Sequence, residues 1–193
     1  SYDSLGRLLT SEASATGIIS RVYDGMGRVV EERRSGSITR SSYDTAGQLL
    51  EVRHDSVDAA GQPQLLLSLR QYVYDAAGNR LSMKDEDDCL TAYTYDGSNW
   101  LTQVDYPNGQ LIKYTYNGAG DRVSEQVGND VVLTSSYDAA GRLLSHGSDT
   151  FGYDADGNLI NAVEGEVPAS YTWNSDNRLT MVSRVHNGCK HDK

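Results

Sequence analysis

Long apolar runs, cysteine, proline and phenylalanine are all scarce in this sequence. Its 193 residues include two cysteines, three prolines and one phenylalanine. The cysteines, Cys89 and Cys189, could pair with each other, but two thiols do not make the disulfide framework of a small secreted domain. No apolar run approaches the roughly 18 residues that indicate a membrane span, so we expect no membrane insertion.

Positive charge is also in short supply. Lysine and arginine number 17 against 27 aspartates and glutamates, which gives a formal net charge of -10. Phosphate recognition needs clustered basic side chains, so we expect no nucleic acid as a partner. The charge also argues against docking on anionic membranes. Ser1, Tyr2 and Asp3 enter a motif directly, so we expect no signal peptide here.

Tyrosine and glycine, by contrast, are used systematically, with 13 and 19 residues. Alignment on the dipeptide Tyr-Asp gives nine units that read Y-D-x-x-G-R-L or Y-D-x-x-G-N-R-L. The units start at Tyr2, Tyr23, Tyr43, Tyr74, Tyr95, Tyr116, Tyr137, Tyr153 and Trp173. Most starts lie about 20 residues apart, a period typical of repeat architectures. We predict one repeat domain over residues 1–185, with a flexible tail or truncated hairpin over 186–193.

The second and fifth positions of each unit predict a hairpin turn. The second position is aspartate at Asp3, Asp24, Asp44, Asp75, Asp96, Asp138 and Asp154, and asparagine at Asn117 and Asn174. The fifth is glycine at Gly6, Gly27, Gly47, Gly78, Gly120, Gly141 and Gly157, and asparagine at Asn99 and Asn177. Aspartate and asparagine bond their own backbone two residues on, and glycine, then asparagine, best tolerates the left-handed conformation. A type I turn followed by a left-handed residue is a common hairpin connection, so we assign these positions a structural, repeat-defining role.

Strands are predicted on both sides of each turn. Aromatic residues such as Tyr93 and Tyr95 recur two positions apart, which places both rings on one face of a strand. Branched residues follow each turn, and further turns at 34–36, 107–109 and 127–129 reverse the chain again. The interpretation is a hairpin in every unit, with no helix needed.

Two units depart from the common length. The unit between Tyr43 and Tyr74 is long and contains a D-x-x-G turn without its tyrosine, from Asp58 to Gly61. We interpret it as a longer hairpin with arms near 48–57 and 62–74, and the unit at 137–153 as a shortened one. The predicted fold is all-β, an antiparallel meander of about eighteen strands at two per unit. Open sheets of more than about ten strands usually twist or curl, so we expect a curved or spiral sheet.

The motif Y-D-x-x-G-R-L at this spacing resembles the YD repeat, also called the Rhs repeat. It occurs in bacterial Rhs proteins, in the B and C components of Tc toxin complexes, in wall-associated bacterial proteins and in teneurins. The resemblance spans Tyr2 to about Val185 and implies a section of a hollow β-sheet shell. In the bacterial toxins such a shell encloses a variable toxin, so toxin cargo and a secreted location are implied.

The sequence also departs from that family. Many members cut themselves near a D-P-x-G-L sequence, whereas Pro63, Pro107 and Pro168 follow glutamine, tyrosine and valine. No plug sequence is present, and complete shells need many more than nine repeats. We therefore expect a fragment of a larger protein, or a degenerate copy.

Sites of chemistry are weakly indicated. His186, Cys189 and His191 could hold a metal, but zinc sites normally need four well-placed ligands, and a tail is the preferred interpretation. The acidic run from Asp85 to Asp88 could bind a hard cation, yet a solvated hairpin tip explains it better. Asp154 to Gly157 superficially resembles a calcium loop and is explained by the repeat turn. We predict no metal and no cofactor. We also predict no enzyme, because asparagine replaces the repeated aspartate in two units and cannot carry a proton.

Arginine follows the turn in six units, at Arg7, Arg28, Arg80, Arg122, Arg142 and Arg178. These side chains could pair with the turn aspartates or line one rim. Exposed strand edges at both ends predict association with other YD repeats of a parent chain or with further copies of this one.

Three functions compete. The first is a structural, non-catalytic part of a shell that encapsulates a toxin. The second is a carbohydrate- or cell-surface-binding module, in which rings such as Tyr72 and Tyr93, or the long hairpin at 48–74, would meet a glycan. The third, weaker hypothesis is an enzyme with an unrecognised site.

Overall fold

The computed structural model describes residues 1–13 and 17–184, and all regular structure in these ranges is β-strand. The all-β prediction is therefore confirmed. No helix in the described ranges is long and apolar enough to cross a membrane. The predicted tail at 186–193, including His186, Cys189 and His191, lies outside the described residues.

Residues 1–110 form one compact unit. Its described part is an antiparallel meander in which each strand pairs with the next along the chain. The nine strands are β1 (Thr10–Ala13), β2 (Gly17–Tyr23), β3 (Val29–Arg34), β4 (Ser37–Tyr43), β5 (Leu49–Val57), β6 (Pro63–Tyr74), β7 (Arg80–Asp85), β8 (Leu90–Tyr95) and β9 (Leu101–Asp105). The predicted long hairpin is present as β5 and β6, with arms that match the expected ranges.

The second compact unit begins at Leu111. It is also an antiparallel meander of consecutive strands. Its strands are β10 (Leu111–Tyr116), β11 (Arg122–Val127), β12 (Leu133–Tyr137), β13 (Leu143–His146), β14 (Asp149–Tyr153), β15 (Leu159–Glu164), β16 (Val167–Trp173) and β17 (Leu179–Arg184). The meander prediction is thus confirmed in each compact unit.

The described residues hold 17 strands rather than the expected eighteen or so. The first hairpin explains the difference, because its leading arm is reduced to an isolated bridge between Tyr2 and Leu8. The turns expected at 34–36, 107–109 and 127–129 are present, and Gly36, Gly109 and Gly128 all have positive φ.

The pairing register between neighbouring strands shifts at the start of every repeat unit from the second onward. In each case the shift lies immediately before the aromatic residue that opens the unit. Examples are the steps Val22/Tyr23 and Thr172/Trp173. A type I turn closed by a left-handed residue leaves one arm of the hairpin a residue longer, and a bulge absorbs the extra residue. The bulges therefore follow from the turn chemistry of the sequence.

Few side chains are buried in this sheet. Among the described residues the buried hydrophobic side chains are Ile38, Val104, Ala162 and Ala169. Many leucines and valines, such as Leu65 and Val131, remain exposed. A conventional hydrophobic core is thus small, and the contacts between neighbouring strands and turns contribute much of the specific structure.

On β3, β4 and β5, ion pairs between neighbouring side chains also hold the sheet together. The carboxylate of Asp55, which is only 1% exposed, accepts hydrogen bonds from Arg53 Nε at 2.9 and 3.0 Å. Arg40 lies 3.6 Å from the same carboxylate and also donates to Glu31. A buried carboxylate needs such partners, because an unpaired charge is costly to remove from water.

Candidate functional site: the junctions between repeats

The D-x-x-G segments form the predicted hairpin turns. In the second repeat unit the Asp24 N–H donates to the Arg28 carbonyl at 2.9 Å, and the Gly27 N–H donates to the Asp24 carbonyl at 3.1 Å. The Asp24 carboxylate oxygen Oδ1 also accepts the N–H groups of Met26 and Arg28, both at 2.9 Å. Gly27 has a φ of 82°, the left-handed conformation that glycine adopts at least cost.

All nine second-position residues occupy the same place in such a turn. Each donates its backbone N–H to the carbonyl four residues on, in the turns that start at Asp3, Asp24, Asp44, Asp75, Asp96, Asn117, Asp138, Asp154 and Asn174. The fifth-position residues all have positive φ, at Gly6, Gly27, Gly47, Gly78, Asn99, Gly120, Gly141, Gly157 and Asn177. The exchange of glycine for asparagine in the sequence therefore coincides with a shared left-handed backbone.

Five of the turn aspartates are held as carboxylates. The backbone N–H of Arg28 lowers the pKa of the Asp24 carboxyl, against partial desolvation and with help from the Arg28 guanidinium. Asp3, Asp75, Asp138 and Asp154 also have lowered pKa values, through hydrogen bonds from the residue four positions on. A carboxyl group with a lowered pKa carries no proton at neutral pH, so these groups accept hydrogen bonds rather than donate protons.

A hydrogen bond from the opening aromatic residue of a repeat unit reaches back to the unit before it. The Tyr23 hydroxyl donates to the Leu8 carbonyl at 2.8 Å, and the acceptor lies six positions after Tyr2. We call this bond the ring link. Further ring links are Tyr43 to Val29 (3.3 Å), Tyr95 to Arg80 (3.0 Å), Tyr137 to Arg122 (2.9 Å) and Trp173 Nε1 to Leu159 (2.8 Å).

The ring link depends on the spacing of the repeat. These five links occur where the starts of successive units lie about 20 residues apart. Tyr74 and Tyr153 follow the longest and the shortest unit of the chain, and their hydroxyls make no such bond within the described residues. Burial raises the pKa of the Tyr95 hydroxyl, which keeps its donor proton in place.

Arginine at the sixth position makes a second link between units. Arg28 Nε donates to Asp24 Oδ2 of its own turn at 2.6 Å. Its Nη1 donates to the Asp44 carbonyl of the next turn at 3.3 Å, and its guanidinium lies 4.5 Å from the centre of the Tyr43 ring. Arg7 and Arg142 make the same three contacts, so one of the two expected roles, pairing with the turn aspartates, holds for these three arginines.

Arginine at the seventh position also lies over tyrosine rings. Arg80 lies 4.9 Å from the centre of the Tyr72 ring and 5.8 Å from that of Tyr93. Arg122 lies 5.1 Å from the centre of the Tyr114 ring. A guanidinium over a ring face occupies space that a stacked sugar would need, so these contacts favour packing of the sheet over glycan binding.

Two junctions use asparagine in place of the arginine and glycine pair. Asn79 Nδ2 donates to Asp75 Oδ2 of its own turn at 2.9 Å and to Asn99 Oδ1 of the next turn at 2.7 Å. Asn158 makes the same two contacts, with Asp154 at 3.0 Å and Asn177 at 2.9 Å. The sixth position of one unit is therefore matched to the fifth position of the next.

Space explains this matching. A Cβ placed on Gly47 would lie 3.6 Å from Nη1 of Arg28, already in van der Waals contact, so a longer side chain there would meet the guanidinium. The shorter Asn79 leaves that space for the Asn99 amide. Sequence reasoning missed this pairing, although both exceptional asparagines follow a unit that reads Y-D-x-x-G-N.

The other candidate sites are turns or lie outside the described residues. Asp85 to Asp88 form a hairpin tip, as expected: the Asp85 N–H donates to the Cys89 carbonyl, and Asp88 takes the glycine place with a φ of 63°. Glu86 pairs with Arg70 there. Asp154 to Gly157 are a repeat turn. No cluster of histidine, cysteine and acidic side chains suited to a metal ion occurs within the described ranges.

The chain is similar to known proteins in its repeat pattern and in its fold. The family model RHS Repeat matches residues 74–111 and 95–132. No curated protein matches the sequence. Solved structures that share the fold include TcdB2-TccC3-Cdc42, with a TM-score of 0.63, 16% identity and coverage of 95% of this chain. TcdB2-TccC3-TEV has a TM-score of 0.61, 14% identity and 93% coverage of this chain.

A structure of the Photorhabdus luminescens Tc holotoxin pore is similar as well, with a TM-score of 0.58, 15% identity and 94% coverage of this chain. The chain spans 12 to 13% of the length of these three structures. The RHS Repeat model thus matches the segment 74–132, and the nine turns built on one pattern, together with the shared fold, make the chain similar to the YD-repeat, or Rhs-repeat, family.

Proposed function

We propose that this chain is a structural, non-catalytic section of the wall of a YD-repeat shell. The shell would encapsulate a polymorphic toxin domain that lies elsewhere in a secreted parent protein and would help to deliver it. The single observation that carries the proposal is the junction, because its side-chain bonds are directed from each repeat unit to its neighbour. A wall extended by repetition needs contacts of this kind.

The repeat-defining residues have structural roles in this proposal. The turn carboxylates and amides fix the hairpins, the left-handed glycines and asparagines complete them, and the aromatic residues and arginines join one hairpin to the next. The lowered pKa values of turn aspartates such as Asp24 and Asp138 support a role as permanent acceptors. A general acid would need a proton held near neutral pH, which these carboxyl groups lack.

The exposed apolar side chains also support a wall. Leu65, Leu67, Val73 and Val131 are all more than a third exposed. Isolated apolar residues at a surface are ordinary, but a sheet with a very small core gains stability when further layers or cargo cover it. The net charge of -10 would suit a basic cargo.

The test uses the full-length natural product, whose coding sequence is first read on both sides of these residues. Limited proteolysis should spare a domain encoded beyond the repeats, while the same domain produced alone is cut quickly. Val104→Asp, at a position only 4% exposed in β9, should open the wall and abolish the protection. Val73→Asp, at a position 54% exposed in β6, is the matched control and should leave it intact.

Two results would overturn the proposal. One is a coding sequence that contains no further YD units. The other is a neighbouring domain that is cut at the same rate inside the full-length product as on its own.

A further inference from the structure

A cavity of about 370 Å³ lies beside the junction between the repeat units that start at Tyr74 and Tyr95. Both of these tyrosines line it, together with Asn79, Arg80 and Tyr93. All of these residues belong to the first compact unit. The volume lies within the range of cavities that hold small ligands in other proteins.

The cavity is present because the side chain at the sixth position of this unit is short. In the second repeat unit Arg28 occupies that position, and its guanidinium lies 4.5 Å from the centre of the Tyr43 ring. Asn79 does not extend as far, and among the described residues no arginine lies over the Tyr95 ring. The Tyr95 ring, which lines the cavity, is therefore left without the cation that covers Tyr43.

Arg80 supplies a positive charge that is not paired within the described residues. Its guanidinium lies over two tyrosine rings, but it donates no hydrogen bond and forms no ion pair in this part of the chain. Arg122, the equivalent residue two units on, pairs with the carboxylate of Glu125 at 3.0 Å. The residue three positions after Arg80 is Met83, which carries no charge. The place of a carboxylate is therefore free at Arg80.

Two tyrosine hydroxyls add donors to the same cavity. The hydroxyls of Tyr74 and Tyr93 have no hydrogen-bond partner within the described residues. The acidic group of this turn is Asp75, and its carboxylate already accepts hydrogen bonds from the backbone N–H groups of Ala77 and Asn79 and from Asn79 Nδ2. The guanidinium and the two hydroxyls can all donate to an acidic ligand.

We propose that this cavity binds a small aromatic carboxylate. The carboxylate pairs with the Arg80 guanidinium and accepts hydrogen bonds from the two tyrosine hydroxyls, while the ring packs against Tyr95 and Leu101. Arginine suits this task, because one guanidinium can stack on aromatic rings and still pair with a carboxylate through its N–H groups. Binding here would be a property of the chain in addition to the proposed wall function, and neither depends on the other.

NMR titrations that observe the ligand test the proposal with benzoate as the probe. The unmodified chain should bind benzoate saturably. Acetate, which lacks the ring, and benzamide, which lacks the charge, should bind at least about fivefold more weakly. Arg80→Leu should weaken benzoate binding by about tenfold or more, the loss expected from a hydrogen bond to a charged group. Leucine stands at the seventh position of other units, at Leu8 and Leu143, so the repeat accepts it there.

A substitution at Met83 gives the sharper result. Met83 lies opposite Tyr72 on the neighbouring strand, just as Glu125 lies opposite Tyr114. Met83→Glu therefore places a carboxylate where Arg80 can pair with it, and it should weaken benzoate binding about as much as Arg80→Leu. Met83→Gln is the matched control, with nearly the same shape and no charge, and should bind benzoate like the unmodified chain. Circular dichroism checks that each variant keeps its β-structure.

Three outcomes would overturn the inference. They are the absence of saturable benzoate binding, equal binding of benzoate and either analogue, and a Met83→Glu variant that binds benzoate as tightly as Met83→Gln. None of them bears on the protection of a neighbouring domain in the full-length product, so each would leave the wall proposal standing.

Discussion

Removal of a single hydroxyl group tests whether the ring link stabilises the sheet. In Tyr95→Phe the ring and its packing remain, and only the 3.0 Å hydrogen bond to the Arg80 carbonyl is lost. A typical intramolecular hydrogen bond contributes about 0.5–1.5 kcal/mol to stability. Tyr95 is half-buried, so water can partly replace the hydroxyl, and we expect a loss of about 1 kcal/mol in the free energy of unfolding.

The matched control is Tyr74→Phe. Tyr74 opens the preceding repeat unit in the same turn position, yet its hydroxyl makes no ring link within the described residues. The expected change is within about 0.5 kcal/mol, because the ring and its packing remain and no hydrogen bond to the described residues is lost. Both residues lie in the first compact unit, so one urea titration followed by circular dichroism compares them directly. Equal losses at Tyr95 and Tyr74 would refute the ring link as a stabilising contact.

Two further predictions concern the junction and its turn. Asn79→Arg alone should destabilise the sheet, because the introduced guanidinium meets the Asn99 amide, and adding Asn99→Gly should restore stability. A double-mutant cycle should give a coupling energy of about 0.5–3 kcal/mol between the two positions. Additive effects of the two substitutions would contradict the matching of side chains across the junction. The lowered pKa of Asp138 stabilises the folded chain above its unfolded pKa of 3.8, and this contribution is lost as pH falls through the lower folded pKa. At pH 7 the Asp138→Asn variant should therefore have a lower free energy of unfolding than the unmodified chain, and the difference should shrink below pH 4. Urea titrations at a series of acid pH values measure this difference. A difference that does not change with pH would contradict the role of the carboxylate.

The hairpins and their turns could be predicted from sequence because their causes are local. Asp24 and Gly27 lie within one turn of the chain, and the preference of glycine for positive φ is a property of the residue itself. Alternation of aromatic residues likewise fixes the face of a strand without any knowledge of the rest of the fold. These signals sufficed for the all-β class and the meander.

The junctions could not be predicted in the same way. The bond from Tyr23 to the Leu8 carbonyl joins atoms 15 residues apart, and only the paired register of both hairpins brings them together. The pairing of Asn79 with Asn99 left a trace in the sequence, but two examples do not show its cause without the geometry. The place of arginine at the sixth or seventh position marks whether it pairs with the turn aspartate, but the ring that it covers depends on the strand register.

The long hairpin of β5 and β6 shows where this architecture accepts new sequence. Gln48 still lies against the next repeat unit, with its Oε1 3.5 Å from a Cβ placed on Gly78, although it belongs to the longest unit of the chain. Arg142 likewise keeps its contacts with the next unit although it belongs to the shortest one. At these junctions the D-x-x-G turns stay in mutual contact while the opposite hairpin ends lengthen or shorten. Evolution and protein engineering can therefore change the length of a hairpin at this end while the junction is kept, since the cost of closing a loop grows slowly with its length.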